Sequence, residues 1–141
     1  MMVLMFSAAS ANDGDEKVEW LSYENVRANS QGQMNKVFLY FYSDNCGYCR
    51  LLEDNTFKNT EIIQYLNHNY TPVRINTDRE TKTARRFQIR GVPDLRFLSS
   101  EGEPIARWPG YIEADHLLTL LKYVKTDSYL KMSYGEFIKQ Q

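Results

Sequence analysis

The residues best suited to chemistry are Cys46 and Cys49, the two cysteines of a 141-residue chain, separated by Gly47 and Tyr48. Two thiols at this spacing can close a disulfide on themselves, and so take up and return two electrons. They can also supply half of a tetrahedral zinc site. No other cysteine is left to staple distant segments, so the pair must be explained by reactivity or by metal. A zinc site would need two further ligands. The two histidines, His68 and His116, lie on segments of amphipathic helical pattern, where an exposed or capping imidazole is expected. No metal centre is therefore expected.

What surrounds the pair decides how it reacts. Just upstream, Val37-Phe38-Leu39-Tyr40-Phe41-Tyr42 is a short continuous run of aromatic and branched residues. It predicts a strand buried on both faces. A helix is predicted over 46–56, with Leu51 and Leu52 as apolar contacts and Phe57 packing at its exit. Cys46 then stands at a helix N-terminus, whose free N–H groups and partial positive charge stabilise a thiolate. It is the expected nucleophile. Cys49 lies about one turn further in, on the same face and less exposed, placed to attack a mixed disulfide on Cys46. Gly47 is expected to let the backbone turn tightly and to admit a substrate chain. Tyr48 either contacts that chain or is an exposed spacer.

The remaining elements follow from pattern and punctuation. Ser22 caps a first helix that is expected to end near Gly32 and Met34. Thr60 caps a helix over 60–68, with Ile62, Ile63 and Leu66 inward. Pro72 to Asn76 is a strand, and Glu80 to Phe87 a helix closed by Gly91. Leu95-Arg96-Phe97-Leu98 and Ile105-Ala106-Arg107-Trp108 form a hairpin across Glu101-Gly102-Glu103. Glu113 to Val124 is a strongly patterned helix, and a short helix is expected over 134–139. The order β-α-(α)-β-α-β-β-α gives an α/β domain with one parallel pair and a late antiparallel hairpin.

Charge is balanced, with 17 Lys and Arg against 18 Asp and Glu. Neither nucleic acid nor an anionic membrane is favoured as a partner. Met1 to Phe6 is apolar, and Ala9-Ser10-Ala11 has the small-x-small form of a cleavage site. Residues 1–11 are expected to be the remnant of a signal peptide, 12–19 a flexible segment, 20–126 the folded domain and 127–141 a helical extension. No later run approaches the ~20 apolar residues of a membrane span, so a soluble, periplasmic or otherwise secreted product without stable membrane insertion is expected, as a monomer.

Cys46-Gly47-Tyr48-Cys49 after a buried strand, Arg90-Gly91-Val92-Pro93 and Gly110 together resemble the thioredoxin superfamily over roughly residues 20 to 126. Asn76-Thr77-Asp78 is similar to that family's segment after its second parallel strand. The resemblance implies a thioredoxin fold with a central mixed sheet of about four to five strands flanked by helices. It implies a cis bond at Pro93, and a shallow groove of Tyr48, Val92, Pro93 and Gly110 that takes the partner's backbone as an extended strand. Cys46-x2-Cys49-x3-Glu53-x3-Phe57 followed by Thr60-Glu61 is similar to exported members related to the C-terminal domain of the membrane thiol:disulfide interchange protein; Tyr129 to Tyr134 matches them more loosely.

The implied activity is thiol–disulfide exchange on protein disulfides. No cofactor is needed, and electrons pass to or from a second protein, a membrane-bound one included. The subgroup leans toward a reductant; an oxidant of folding proteins, or a binding or chaperone-like module, are the alternatives. One position departs from the family. Its buried aspartate, six residues before the first cysteine, is here Tyr40. Glu53, four residues after Cys49, is the candidate to replace it, paired with Arg74 at the position of the family's buried lysine. The bland alternative for Glu53 is a surface ion pair of little energetic weight. Trp20 and Trp108 are expected to pack, and Arg50, Arg85 and Arg86 to be solvated.

Overall fold

A computed structural model describes residues 16–141. The expected signal remnant, and residues 12–15 of the flexible segment, lie outside the described residues. Among these, strands β1 (Lys36–Tyr42), β2 (Tyr70–Asn76), β3 (Asp94–Leu98) and β4 (Pro104–Pro109) form one sheet in the order β2-β1-β3-β4. β1 and β2 are parallel, and the other two neighbouring pairs are antiparallel. Six helices accompany them: α1 (Tyr23–Ala28), α2 (Gly47–Asp54), α3 (Thr60–Asn69), α4 (Thr81–Arg86), α5 (Ala114–Lys125) and α6 (Tyr134–Lys139). This is the thioredoxin fold, with four strands.

Alternation along β1 builds two cores. Val37, Leu39 and Phe41 pack with Val73, Ile75 and Leu98 under Tyr23 and Val26 of α1 and Phe87 after α4. Phe38 and Tyr40 face the other side, against residues of α2, α3, α5 and α6. A strand buried on both faces cannot show hydrophobic alternation, which is why β1 appears in the sequence as an unbroken apolar run.

Element ends differ from expectation where local chemistry decides them. Asn59, not Thr60, caps α3, its Oδ1 accepting from the Ile62 N–H at 3.2 Å. α4 is closed by Gln88 rather than Gly91: Gln88 takes a left-handed φ of 55°, and the Ile89 N–H reaches back to the Ala84 carbonyl. α1 stops at Ala28 and a 3-10 turn over Ser30–Gly32 follows. α2 stops at Asp54, and a 3-10 turn over Thr56–Lys58 redirects the chain so that Phe57 enters the core. The segment before Trp20 is tied down. Asn67 accepts from the Glu19 N–H and donates to the Lys17 carbonyl, and Val18 is buried.

Both borders of the sheet carry a modification. On β2, Leu21 adds a one-residue parallel bridge to Val73. On β4, prolines stand at both ends, Pro104 and Pro109.

Tyr40 and Tyr70 are buried, and their hydroxyls donate to the carbonyls of Cys49 (3.3 Å) and Leu121 (2.6 Å). Burial pushes both phenols above the ordinary value of 10.0. Above that value the unfolded chain loses these protons and the native one keeps them, so stability is full below it and falls as pH rises. Urea unfolding of the oxidised protein should show a loss of stability that sets in near about pH 10 and grows as pH rises further. A profile that stays flat there would contradict the burial argument.

Candidate functional site

β1 delivers the chain to the site. Its last residue, Tyr42, is followed by Ser43-Asp44-Asn45, and this loop is held from β2. The Asn76 side chain donates to Asp44 Oδ1 at 2.9 Å, and the Asp44 N–H donates to Asp78 Oδ2 at 3.1 Å. The loop ends at Cys46, which caps α2: its backbone is extended (φ −128°, ψ 107°) and its Sγ accepts the Cys49 N–H at 3.1 Å. A helix N-terminus has N–H groups without internal partners, and here one of them is aimed at sulfur. Cys46 and Cys49 form a disulfide with Cα atoms 5.2 Å apart. Cys46 is 8% exposed and Cys49 1%.

Val92, half-buried, and Pro93, buried, come between α4 and β3, joined by a cis bond. Gly110 follows β4 with φ +95°, a conformation natural to glycine, and its N–H donates to the Pro93 carbonyl at 2.8 Å. Tyr48 is 66% exposed. Gly47 differs from expectation. It is not among the glycines with positive φ, and a Cβ added there would meet nothing within 4 Å. The backbone turn does not require glycine at this position, and the space beside it is open.

Behind the cysteines, the departure at Tyr40 is resolved by packing. Tyr40 is fully buried, its ring lying 5.6 Å from Trp20, 5.4 Å from Tyr42 and 5.0 Å from Phe57. Arg74 is its register partner on β2. The Arg74 guanidinium stacks on the Tyr42 ring at 4.3 Å, and its Nη2 donates to Glu53 Oε1 at 2.9 Å. Both partners of this ion pair are partly solvated, at 40% and 35% side-chain exposure. A groove of ≈ 510 Å³ opens beside them, floored by Trp20, Phe57 and Ile63.

Trp20 packs as expected, and Arg50, Arg85, Arg86 and Arg90 are exposed. His116 differs: it is half-buried between Trp108 (4.9 Å) and Tyr134 (5.8 Å), joining α5 to α6. Among the described residues no cluster of three or more metal-ligating side chains occurs.

Two residues have roles that sequence reading did not find. Thr56 is buried and its hydroxyl donates to the Ile112 carbonyl at 2.7 Å, tying the exit of α2 to the segment after β4. Asp94, directly after Pro93, is buried and paired with Arg96 and Arg107. The available signal for Asp94 was an acidic residue opening the strand Asp94–Leu98, with arginines two residues on and on the hairpin partner.

Comparison with known proteins agrees with the architecture. The thiol:disulfide interchange protein DsbD of Campylobacter jejuni is 28% identical over 120 residues, covering 82% of this chain. The chain spans 21% of that protein's length. A thioredoxin from Thermus thermophilus superposes with a TM-score of 0.68 at 22% identity, covering 77% of this chain and 87% of its own. A DsbH oxidoreductase superposes at 0.64 with 18% identity, covering 92% and 95%. The model of the thioredoxin-like domain matches residues 23–125, and the chain belongs to that family.

Proposed function

We propose that the protein is a thiol–disulfide oxidoreductase that reduces protein disulfides outside the cytoplasm. The observation that carries this reading is the Cys46–Cys49 disulfide at the α2 N-terminus, with Cys46 retaining 8% exposure against 1% for Cys49. In the reduced protein the Cys46 thiolate, held by the Cys49 N–H and the end of the helix, attacks one sulfur of a partner disulfide. The partner's other sulfur leaves as thiolate, and a mixed disulfide forms. Cys49 then loses its proton and attacks Cys46 Sγ, which closes the intramolecular disulfide and releases the second partner thiolate. Two electrons pass to the partner, and the oxidised state described above is the product. A second protein must return two electrons to it, since one dithiol has no other source.

Val92, Pro93, Gly110 and Tyr48 form the groove in this reading, Gly47 leaving room for the partner backbone. The apolar start of the chain and Ala9-Ser10-Ala11 support an exported protein, and the DsbD relative, a thiol:disulfide interchange protein by name, supports protein disulfides as partners. Among the described residues no helix is long and apolar enough to cross a membrane.

The proton of Cys49 needs an acceptor. Tyr40 is a poor one: burial holds it as the neutral phenol, and its O–H is already donated to the Cys49 carbonyl. Glu53 lies one turn along α2 from Cys49, borders water, and is oriented by Arg74. Glu53→Gln should slow the decay of the mixed disulfide about tenfold and shift the pH profile of that step. Unchanged thiol titration and exchange rates in this variant would remove Glu53 from the mechanism.

Direction is tested by the reduction potential of the pair in dithiothreitol or glutathione buffers. A value near about −270 mV, that of thioredoxin, supports the reductant. A value near about −120 mV, that of the oxidant DsbA, would make the protein a source of disulfides instead.

A further inference from the structure

We propose that Asp94 is a positioning residue that keeps Pro93 and Gly110 at their working separation by suppressing a repulsion between Arg96 and Arg107; this rests on the exchange reading above. Asp94 follows Pro93 directly and is 1% exposed. Its Oδ1 accepts from Arg96 Nε at 2.7 Å, and its Oδ2 accepts from Arg96 Nη2 and from Arg107 Nη2, each at 3.3 Å. Arg96 and Arg107 are direct cross-strand partners in the β3–β4 register. Like charges placed opposite each other drive strands apart.

The position of this repulsion matters. Two residues up the ladder from Arg107 is Pro109, the partner of Asp94, and the next residue is Gly110, whose N–H reaches the Pro93 carbonyl. Proline has no N–H to return, so a single backbone hydrogen bond joins Pro93 and Gly110. Along the ladder, the Asp94–Pro109 pair lies between the Arg96–Arg107 pair and that bond. Stability alone does not explain the carboxylate, because a buried ion cluster is often no more stable than apolar side chains of the same volume. Arg107 is 56% exposed, so water reaches it beside Asp94. What Asp94 adds is a shared counter-charge between a cross-strand pair of cations, two positions along the ladder from its own pair with Pro109.

Asp94→Asn keeps the shape and removes the charge, leaving the two guanidiniums facing each other. With insulin as the disulfide substrate, KM should rise about tenfold with kcat within about twofold. The loss should exceed any loss toward oxidised glutathione, which does not span the groove. Exchange of the Gly110 amide proton should quicken, and adding Arg107→Gln should restore both KM and amide protection. Wild-type KM and amide exchange in the folded single variant would overturn the proposal, as would equal losses toward insulin and glutathione, or no recovery in the double variant. If the single variant does not fold, the double variant decides: near-wild-type KM supports the clamp, and a raised KM overturns it. If the wild-type protein does not reduce insulin, the exchange reading fails, and Gly110 amide exchange still decides the clamp.

Discussion

Cys46→Ser removes disulfide turnover, by roughly a thousandfold or more, whereas Cys49→Ser retains the first attack and stalls as a mixed disulfide with its partner. The asymmetry follows from placement. Cys46 caps the helix and is the more exposed of the two, at 8%, while Cys49 is almost wholly enclosed one turn further along. A serine hydroxyl at position 46 is a far weaker nucleophile at neutral pH than a thiolate held at a helix end. A serine at position 49 leaves the attack intact but removes the sulfur that resolves it. The measurement is insulin reduction with dithiothreitol as electron source, followed by non-reducing electrophoresis of the Cys49→Ser protein mixed with a disulfide partner. Turnover that survives in Cys46→Ser would assign the fold to a binding or chaperone-like role. A Cys49→Ser protein that traps nothing would remove the two-step mechanism.

Phe38→Ala should destabilise the fold by about 3 to 5 kcal/mol and lower Tm by roughly 10 °C or more. Phe38 is fully buried, and its ring lies within 6.5 Å of Trp20, Phe57, Tyr70 and Phe97. These rings come from the segment before α1, the turn after α2, β2 and β3, so one truncation opens a void at a junction of four segments. Large rings cannot collapse into such a void without leaving their rotamers, and the cavity persists. Met34→Ala is the control: that side chain is 92% exposed, and its loss should stay within about 0.5 kcal/mol. A Phe38→Ala loss below about 1 kcal/mol would mean that this core repacks, contrary to the contacts described.

Much of this was visible in the chain because it is local. The unbroken run Val37 to Tyr42, the cysteine pair behind it and the leucine spacing of α5 are each stated by adjacent residues. Glu53 was singled out by its helical spacing from Cys49 and Arg74 by family position, and their side chains meet at 2.9 Å. Element ends were less legible. Asn59 and Thr60 are both competent caps, and which one serves depends on how the preceding 3-10 turn delivers the chain. Gln88 takes a conformation that glycine adopts more cheaply, so Gly91 attracted the expectation. Asp94 was out of reach for another reason. Its partners are meaningful only once the hairpin register is known, since Arg107 could have faced either side of β4. His116 likewise became a packing residue only when α6 folded back to cover it.

The sheet borders described above bear on how such a protein survives its own occupation. An enzyme that handles partly folded clients is surrounded by unpaired strands looking for a neighbour. Leu21 occupies part of the free side of β2, and the prolines at 104 and 109 deny β4 a continuous row of donors. In the exchange reading proposed above, a client strand resting beside the sulfurs finds little to zip onto afterwards. On that reading, capture lasts as long as one covalent bond, and the edges of the sheet favour release as much as Cys49 does.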